Sequence, residues 1–231
     1  MSYRAVVFDL FGTLVDSFSA GEYERVLWEM ADVIGAPRAD FTRVWLSTFV
    51  ERATGVFASP EASVEGVCRA LELRPEPDLV AAAGRIRFAY TGRSLVPRPG
   101  ALETLAELRA RGYRTGLVSD CSAEVPILWP DTPFAPLIDV AVLSCAVGLK
   151  KPDPRIYRLA CDRLGVDPEE CLYVGDGGSR ELTGAARVGM HPVLIRAPDE
   201  APDAHRLDAE EWSGPTVSAL CEVLALVGGK R

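Results

Sequence analysis

The chain alternates between short apolar runs and longer segments that carry apolar residues at helical spacing. Apolar runs that end at polar or turn residues predict β-strands. Five such runs occur, at residues 3–9, 115–119, 140–143, 172–175 and 192–195. One helical pattern precedes the second run and ends at Gly112, and another begins at Asp153-Pro154 between the third and fourth runs. This alternation predicts an α/β fold with a Rossmann-like parallel sheet and helices on both of its faces.

Residues 16–95 interrupt the alternation, because they contain helical patterns and no convincing strand. We therefore predict a helical cap of residues 16–95, inserted after the first strand of an α/β core formed by residues 1–15 and 96–231. The cap helices are expected to stop at Gly35, to resume after Asp40, and to begin again at Ser59-Pro60 and near Asp78.

Charge and composition exclude some classes of partner. The net charge is −8 and the sequence has no basic run, so we expect no nucleic-acid partner. Its apolar windows are far shorter than the roughly 20 residues of a membrane span, and the start of the chain does not resemble a signal peptide. These features predict a cytoplasmic protein with a small-molecule substrate and no membrane partner, present as a monomer or homodimer.

The cysteine and histidine residues give no metal motif. Six cysteines occur without C-x-x-C spacing and mostly in apolar runs, which is typical of buried, reduced thiols. The two histidines, His191 and His205, are far apart and have no second His or Cys at ligand spacing. This pattern argues against a zinc site.

Polar side chains stand where three of the apolar runs end. Asp9, Ser119 and Asp176 close the stretches "VVFD", "GLVS" and "LYVGD". The carboxyl ends of parallel strands meet at one edge of the sheet, so we expect these residues to converge. Lys151 follows the third run in "GLKKPDP", and Glu181 stands five residues after Asp176 in "GDGGSRE". Both side chains can reach the crevice outside that edge of the sheet.

These residue types together favour phosphoryl transfer. Asp9 is a candidate nucleophile that would form an aspartyl phosphate, which water then hydrolyses. Ser119 would hydrogen-bond a transferring oxygen, and Lys151 would offset the negative charge. Asp9 and Asp176 offer the oxygen ligands that Mg²⁺ prefers, and Glu181 could act on the ion through a water molecule.

Four motifs in order, "FDLFGT", "GLVSD", "KKPDP" and "YVGDGGSRE", resemble the haloacid dehalogenase-like hydrolase superfamily over essentially the whole chain. The resemblance implies that Asp9 is the nucleophile, Ser119 the phosphate-binding serine and Lys151 the motif lysine. Asp176 and Glu181 form the acidic metal motif. It also implies Mg²⁺ as the cofactor. The backbone carbonyl of Phe11 is a further expected metal ligand, and Asp120 a further substrate-binding candidate.

Two positions depart from the family's phosphatases. Phe11 stands where they usually have a second Asp that protonates the leaving group, a contribution worth roughly 10²–10⁴-fold in rate. Acyl phosphates and esters of acidic alcohols depend less on that proton. Glu181 replaces the more usual Asp. The primary prediction is a metal-dependent hydrolase of a small phosphorylated metabolite.

Phe11 also supports two alternatives. The family's 2-haloacid dehalogenases, which work without a metal, resemble this chain in placing an aromatic residue there, and halide leaves without a proton. They usually have Asn where this chain has Asp120, and they lack the metal signature of Gly175-Asp176. Arg43 and Arg52 are both candidates for the halide-binding arginine. The other alternative is a binding or regulatory protein with weak or no turnover.

Each candidate alone also has a purely structural interpretation. Asp9 could cap a turn, Ser119 could start a helix, and Lys151 could be a solvated loop charge. The joint placement of Asp9, Ser119, Lys151, Asp176 and Glu181 at matching element ends favours a shared site over coincidence.

Overall fold

The computed structural model describes residues 3–198, 204, 206 and 208–228. Its centre is a six-stranded parallel sheet with strand order β3-β2-β1-β4-β5-β6. This is the order of the doubly wound Rossmann fold. The predicted α/β class is therefore confirmed. The strands are β1 Ala5–Phe8, β2 Arg114–Ser119, β3 Val140–Leu143, β4 Cys171–Gly175, β5 His191–Ile195 and β6 Thr216–Val217.

The observed strand bounds are close to those predicted. β2, β4 and β5 each begin one residue earlier, and β3 matches its predicted range. β1 is shorter than residues 3–9, and Asp9 lies just outside it. β6 was not predicted, because two residues are too few to show an alternating pattern.

Helices cover both faces of the sheet. β1 illustrates the cause, since Val6 and Phe8 join one apolar cluster while Ala5 and Val7 join another. Successive side chains of a strand point to opposite faces, and both faces here are apolar. The helices are α1 Ala20–Ile34, α2 Arg38–Ser47, α3 Phe49–Ala53, α4 Pro60–Ala70, α5 Pro77–Arg93, α6 Ala101–Ala110, α7 Glu124–Leu128, α8 Ser144–Val147, α9 Pro154–Leu164, α10 Glu181–Arg187 and α11 Val223–Val227.

Several helix ends follow the predicted capping residues, but the expected start after Asp40 is wrong, because α2 begins at Arg38. The Ser59 side chain accepts a hydrogen bond from Ala62 N at the start of α4, and Gly35 ends α1 with a φ of 76°. The Asp153 side chain caps α9. The expected start of α5 at Asp78 is wrong by one residue, because Pro77 occupies the first helical position, which proline favours.

Helices α1–α5, here called the helical unit, have an apolar cluster of their own. It includes Met30, Phe41, Trp45 and Tyr90, all essentially buried. These helices lie within residues 16–95. The division of the chain into a core and a cap remains a prediction.

The chain leaves the sheet and returns to it at adjacent points. Val15 and Pro97 form an antiparallel bridge, and Arg98 N donates to Leu14 O at 2.9 Å. The Arg98 side chain donates to the carbonyl of Gly12, also at 2.9 Å. The loop after β1 is therefore held by the segment that follows the helical unit.

The helices, the cysteines and the histidines also bear on what the sequence predicts for them. No helix among the described residues combines the length and the apolar character needed to cross a membrane. All six cysteines are free, and Cys68, Cys121, Cys161 and Cys171 are buried. His191 contacts a backbone carbonyl, and His205 lies outside the described residues.

Gly12 and Gly112 offer a matched pair for testing the loop after β1. Both have a φ of 83°, where alanine is strained by about 1–2 kcal/mol. A Cβ at Gly112 would meet nothing within 4 Å, whereas one at Gly12 would lie 2.2 Å from Asp176 Oδ2. We expect Gly12→Ala to lower the free energy of unfolding by clearly more than Gly112→Ala, measured by urea denaturation. Equal losses would mean that the close approach of Asp176 has no energetic weight.

Candidate active site

The sheet brings three predicted residues to one edge. Asp9 directly follows β1, and its backbone N–H donates to Val174 O at 2.9 Å, which continues the pairing with β4. Asp176 directly follows β4, and Ser119 is the last residue of β2. β2 and β4 are the two neighbours of β1 in the sheet. All three residues therefore lie at the carboxyl end of adjacent strands.

Lys151 lies between two carboxylates at this edge. Its Nζ donates to Asp9 Oδ1 at 2.5 Å and to Glu181 Oε2 at 2.6 Å, and all three side chains are essentially buried. Asp120 holds the lysine loop by accepting from Lys151 N at 2.9 Å, while Lys150 Nζ lies 3.6 Å from its other oxygen. Asp120 thus fixes the position of Lys151.

Glu181 is the first residue of α10 and is fully buried. Its Oε1 accepts from Gly177 N at 2.9 Å, and its Oε2 accepts from Tyr173 Oη at 2.8 Å as well as from Lys151. A Cβ on Gly175 would lie 2.2 Å from Oε1, so this approach requires glycine there. Tyr173 is a contributor that the sequence analysis missed, since its pattern is simply that of a buried strand.

Asp176 is held by backbone and by arginine. Its Oδ1 accepts from Gly178 N at 2.9 Å, and its Oδ2 lies 2.8 Å from Arg206 Nε. The side chain of Arg196 donates to the Asp176 carbonyl. Arg206 was also missed, because it stands in a segment without a strand or helical pattern, part of which lies outside the described residues. No local pattern marks an arginine that reaches so distant a partner.

Burial and charge perturb the site's protonation. Desolvation by burial raises the pKa of Asp9 to about 6, although Lys151 opposes the shift. Burial likewise raises the pKa of Glu181 to about 8, again against the effect of Lys151 and with help from Asp9. Burial disfavours the charged form of Lys151, but the two carboxylates outweigh it and raise its pKa well above the usual value. The lysine is therefore a permanent cation.

The acidic residues fit a divalent ion. Asp9, Asp176 and Glu181 are buried, and one oxygen of each lies within 4.8 Å of the others. Hard carboxylate oxygens in this arrangement suit Mg²⁺. Both oxygens of Glu181 accept hydrogen bonds, and both oxygens of Asp176 face nitrogen atoms, so an ion held by Asp9 and Asp176 would have to displace Arg206 from Asp176.

A cavity of about 140 Å³ lies between this edge and the helical unit. Asp9, Phe11, Asp120, Lys151 and Asp176 line it from the side of the sheet. Ser119 and Glu181 are fully buried and are not among the described lining residues. Within the described part of the chain the buried Ser119 hydroxyl has no hydrogen-bond partner.

The helical unit supplies the other wall of the cavity. Its lining residues include Phe18, Tyr23, Arg52 and Arg87. The Phe11 ring packs against Phe18 with a centroid distance of 4.6 Å. Of the two arginine candidates, Arg52 is in this wall, whereas the exposed Arg43 pairs with Asp40. The site therefore combines an acidic end that holds a lysine with an aromatic and cationic wall.

The raised pKa of Asp9 predicts that this residue destabilises the ion-free protein at neutral pH. A carboxyl whose folded pKa exceeds its unfolded value of 3.8 loses stability as the pH rises through that value toward about 6. Asp9→Asn removes this cost, so in EDTA we expect its free energy of unfolding at neutral pH to exceed that of the wild type by about 3 kcal/mol.

The gain should shrink toward about pH 4, where the wild-type Asp9 is itself protonated. Asp131→Asn, at an exposed aspartate, is the matched control and should change stability by less than about 0.5 kcal/mol. Urea denaturation across this pH range measures both variants. A loss of stability in Asp9→Asn at neutral pH would contradict the burial argument.

Comparison with known proteins finds relatives over most of the chain. A model of the haloacid dehalogenase-like hydrolase family matches residues 3–189. The (S)-2-haloacid dehalogenase 4A of Burkholderia cepacia is 30% identical over 209 residues, which cover 87% of both chains. The glyceraldehyde 3-phosphate phosphatase of Methanopyrus kandleri is 32% identical over 201 residues, which cover 84% of both.

Solved structures agree with these relatives in fold. The crystal structure of a HAD phosphatase from Thermococcus onnurineus superposes with a TM-score of 0.67 at 23% identity and covers 99% of both chains. The family match, the strand order and the ordered motifs all point to one assignment. The chain belongs to the haloacid dehalogenase-like hydrolase family.

Proposed function

We propose that the protein is a Mg²⁺-dependent hydrolase of a small phosphorylated metabolite, acting through an aspartyl phosphate on Asp9. The observation that carries the proposal is the buried cluster of Asp9, Asp176 and Glu181, whose oxygens lie close enough to share one ion. The similarity to a glyceraldehyde 3-phosphate phosphatase supports phosphoryl chemistry on this fold. Site residues carry this argument, because one fold hosts many functions.

In the proposed reaction an oxygen of Asp9 attacks phosphorus, and the bond from phosphorus to the leaving oxygen breaks. With a pKa of about 6, Asp9 is mostly ionised at neutral pH and can act as the nucleophile. Lys151 balances the charge of its carboxylate, and the unpaired Ser119 hydroxyl is suited to donate to a phosphoryl oxygen. Water then hydrolyses the acyl phosphate and regenerates Asp9.

Asp9 and Asp176 would hold the ion, with the Phe11 carbonyl as a further ligand. When bound, Mg²⁺ supplies positive charge that offsets the repulsion between the carboxylates and a phosphoryl group. Arg206 Nε, 2.8 Å from Asp176 Oδ2, supplies positive charge to the same carboxylate.

Phe11 limits the range of leaving groups. Its side chain has no proton to donate, so a leaving alkoxide would have to take one from water. Leaving groups that are stable as anions, such as carboxylates and phenolates, avoid this requirement. We therefore assign acyl phosphates and esters of acidic alcohols as the preferred substrates.

Metal removal tests the proposal directly. We expect hydrolysis of acetyl phosphate and p-nitrophenyl phosphate in Mg²⁺, loss of at least about 100-fold in EDTA, and recovery when Mg²⁺ is restored. Asp9→Asn should abolish turnover in Mg²⁺. Release of inorganic phosphate is the measurement for the wild type in each condition and for the variant. Turnover that is indifferent to EDTA would contradict the metal role, and activity in Asp9→Asn would remove the nucleophile.

A second candidate, a metal-independent 2-haloacid dehalogenase, is favoured by the aromatic Phe11 and by the similarity to the Burkholderia enzyme. Arg52 lies in the cavity where a halide-binding arginine would be needed. This candidate predicts chloride release from 2-chloropropionate in the presence of EDTA. A chloride signal with no phosphate release would decide for it.

Substitution of Phe11 tests why the range of leaving groups is limited. We expect Phe11→Asp to raise kcat/KM for an alkyl phosphate relative to p-nitrophenyl phosphate by about 10- to 100-fold, because it supplies a general acid. Phe11→Asn has a similar size but no acidic proton, and it is the matched control. Equal changes in both variants would show that the aromatic ring acts through packing alone.

A further inference from the structure

The helical unit places two buried guanidinium groups in the wall of the cavity. Arg52 and Arg87 are only 2% and 5% exposed, and both line the cavity that contains Asp9. Buried arginines normally have carboxylate partners that offset the cost of desolvation. The cost of burying Arg52 and Arg87 therefore depends on the negative charge around each guanidinium.

Arg87 is only partly compensated. Its Nη1 donates to Thr91 Oγ1 at 2.7 Å, and its guanidinium lies over the rings of Tyr23 and Tyr90 at 5.3 and 5.6 Å. Its Nε is 3.7 Å from Glu124 Oε1, which is too far for a hydrogen bond. Within the described residues neither of these two atoms has a hydrogen-bond partner. Arg87 therefore retains a buried donor.

Arg52 makes no ion pair in the described part of the chain, although Glu124 and Glu51 are near enough to favour its charge. Its Nη1 donates to Trp45 O at 2.5 Å and to Thr48 Oγ1 at 2.8 Å, and the guanidinium lies 4.3 Å from the centre of the Trp45 ring. Burial lowers the pKa of Arg52, and the nearby Arg87 acts in the same direction. This is the response of a cation that is short of negative partners.

Neither guanidinium of this wall makes a hydrogen-bonded ion pair with a carboxylate among the described residues. Glu124 is the carboxylate beside Arg87, and its other oxygen accepts from Ser122 Oγ at 2.5 Å. A buried cation without a hydrogen-bonded counter-ion is costly. A ligand with a single negative charge removes that cost, and a planar carboxylate matches the geometry of a guanidinium.

We propose that Arg52 and Arg87 bind a carboxylate on the leaving group of the substrate. The rings of Phe11 and Phe18 form an apolar wall for the part of the substrate between that carboxylate and the group that reacts at Asp9. The inference rests on the proposed function in one respect, namely that the substrate reacts at Asp9. The substrate class is then a phosphorylated organic acid.

Paired substrates test the inference in the wild-type protein with Mg²⁺. We expect kcat/KM for 4-carboxyphenyl phosphate to exceed that for its methyl ester by about 10- to 100-fold, as for a charge-assisted hydrogen bond, and mainly through KM. Arg52→Gln and Arg87→Gln should each bring the ratio of kcat/KM for the acid to kcat/KM for the methyl ester close to one. Arg43→Gln, at an exposed arginine of the same helical unit, is the control.

Equal rates on acid and ester in the wild type would overturn the inference, as would parallel losses on both substrates in the variants. Arg87→Lys keeps the charge and serves if Arg87→Gln does not fold. If neither 4-carboxyphenyl phosphate nor its methyl ester is hydrolysed, the proposed function fails. The inference is then tested by calorimetry with 4-hydroxybenzoate and its methyl ester. Binding of the acid alone, weakened in Arg52→Gln, would uphold it, and binding of neither would overturn it.

Discussion

The contact of Lys151 with Asp9 and Glu181 is the interaction on which the site depends. Three ionisable groups are removed from water here, and Lys151 offsets only part of the desolvation cost that raises the pKa of both carboxylates. The arrangement exists because parallel strands end at one edge, and because Tyr173 and the backbone at Gly177 satisfy the remaining oxygens of Glu181. The reactivity proposed for Asp9 follows from this environment, since the same burial that raises its pKa also keeps it close to its counter-ion.

The sequence predicted the fold well where continuous apolar runs end abruptly. β2, β4 and β5 have a neighbouring strand on each side and β3 lies at the edge, but all four belong to a sheet that is covered on both faces, so hydrophobicity marks them. The sequence did not predict β6, because its two residues form a strand by pairing with β5 and show no hydrophobic pattern of their own. Capping residues such as Ser59 and Asp153 located helix starts because their side chains bond to nearby backbone groups, which is a local effect.

The site was predictable only where the topology dictates it. Asp9 and Asp176 could be inferred to meet because each terminates a strand of one sheet. Arg52, Arg87 and Arg206 could not be placed in the same way, because helical periodicity or a loop composition does not fix contacts made across the fold. Arg206 pairs with an acid far away in sequence. The hydrogen-bond partners of Arg52 and Arg87 are local, but they do not reveal from the sequence that both side chains line the cavity.

The adjacent crossings at Val15 and Pro97 constrain how the helical unit can move relative to the sheet. Two connections side by side permit a rotation about one axis with torsional changes in only a few residues, whereas a sliding motion would break the bridge between them. Glu124 belongs to the sheet side and Arg87 to the helical unit, so any such rotation changes their separation. Such a rotation would therefore alter the electrostatic balance of the cavity.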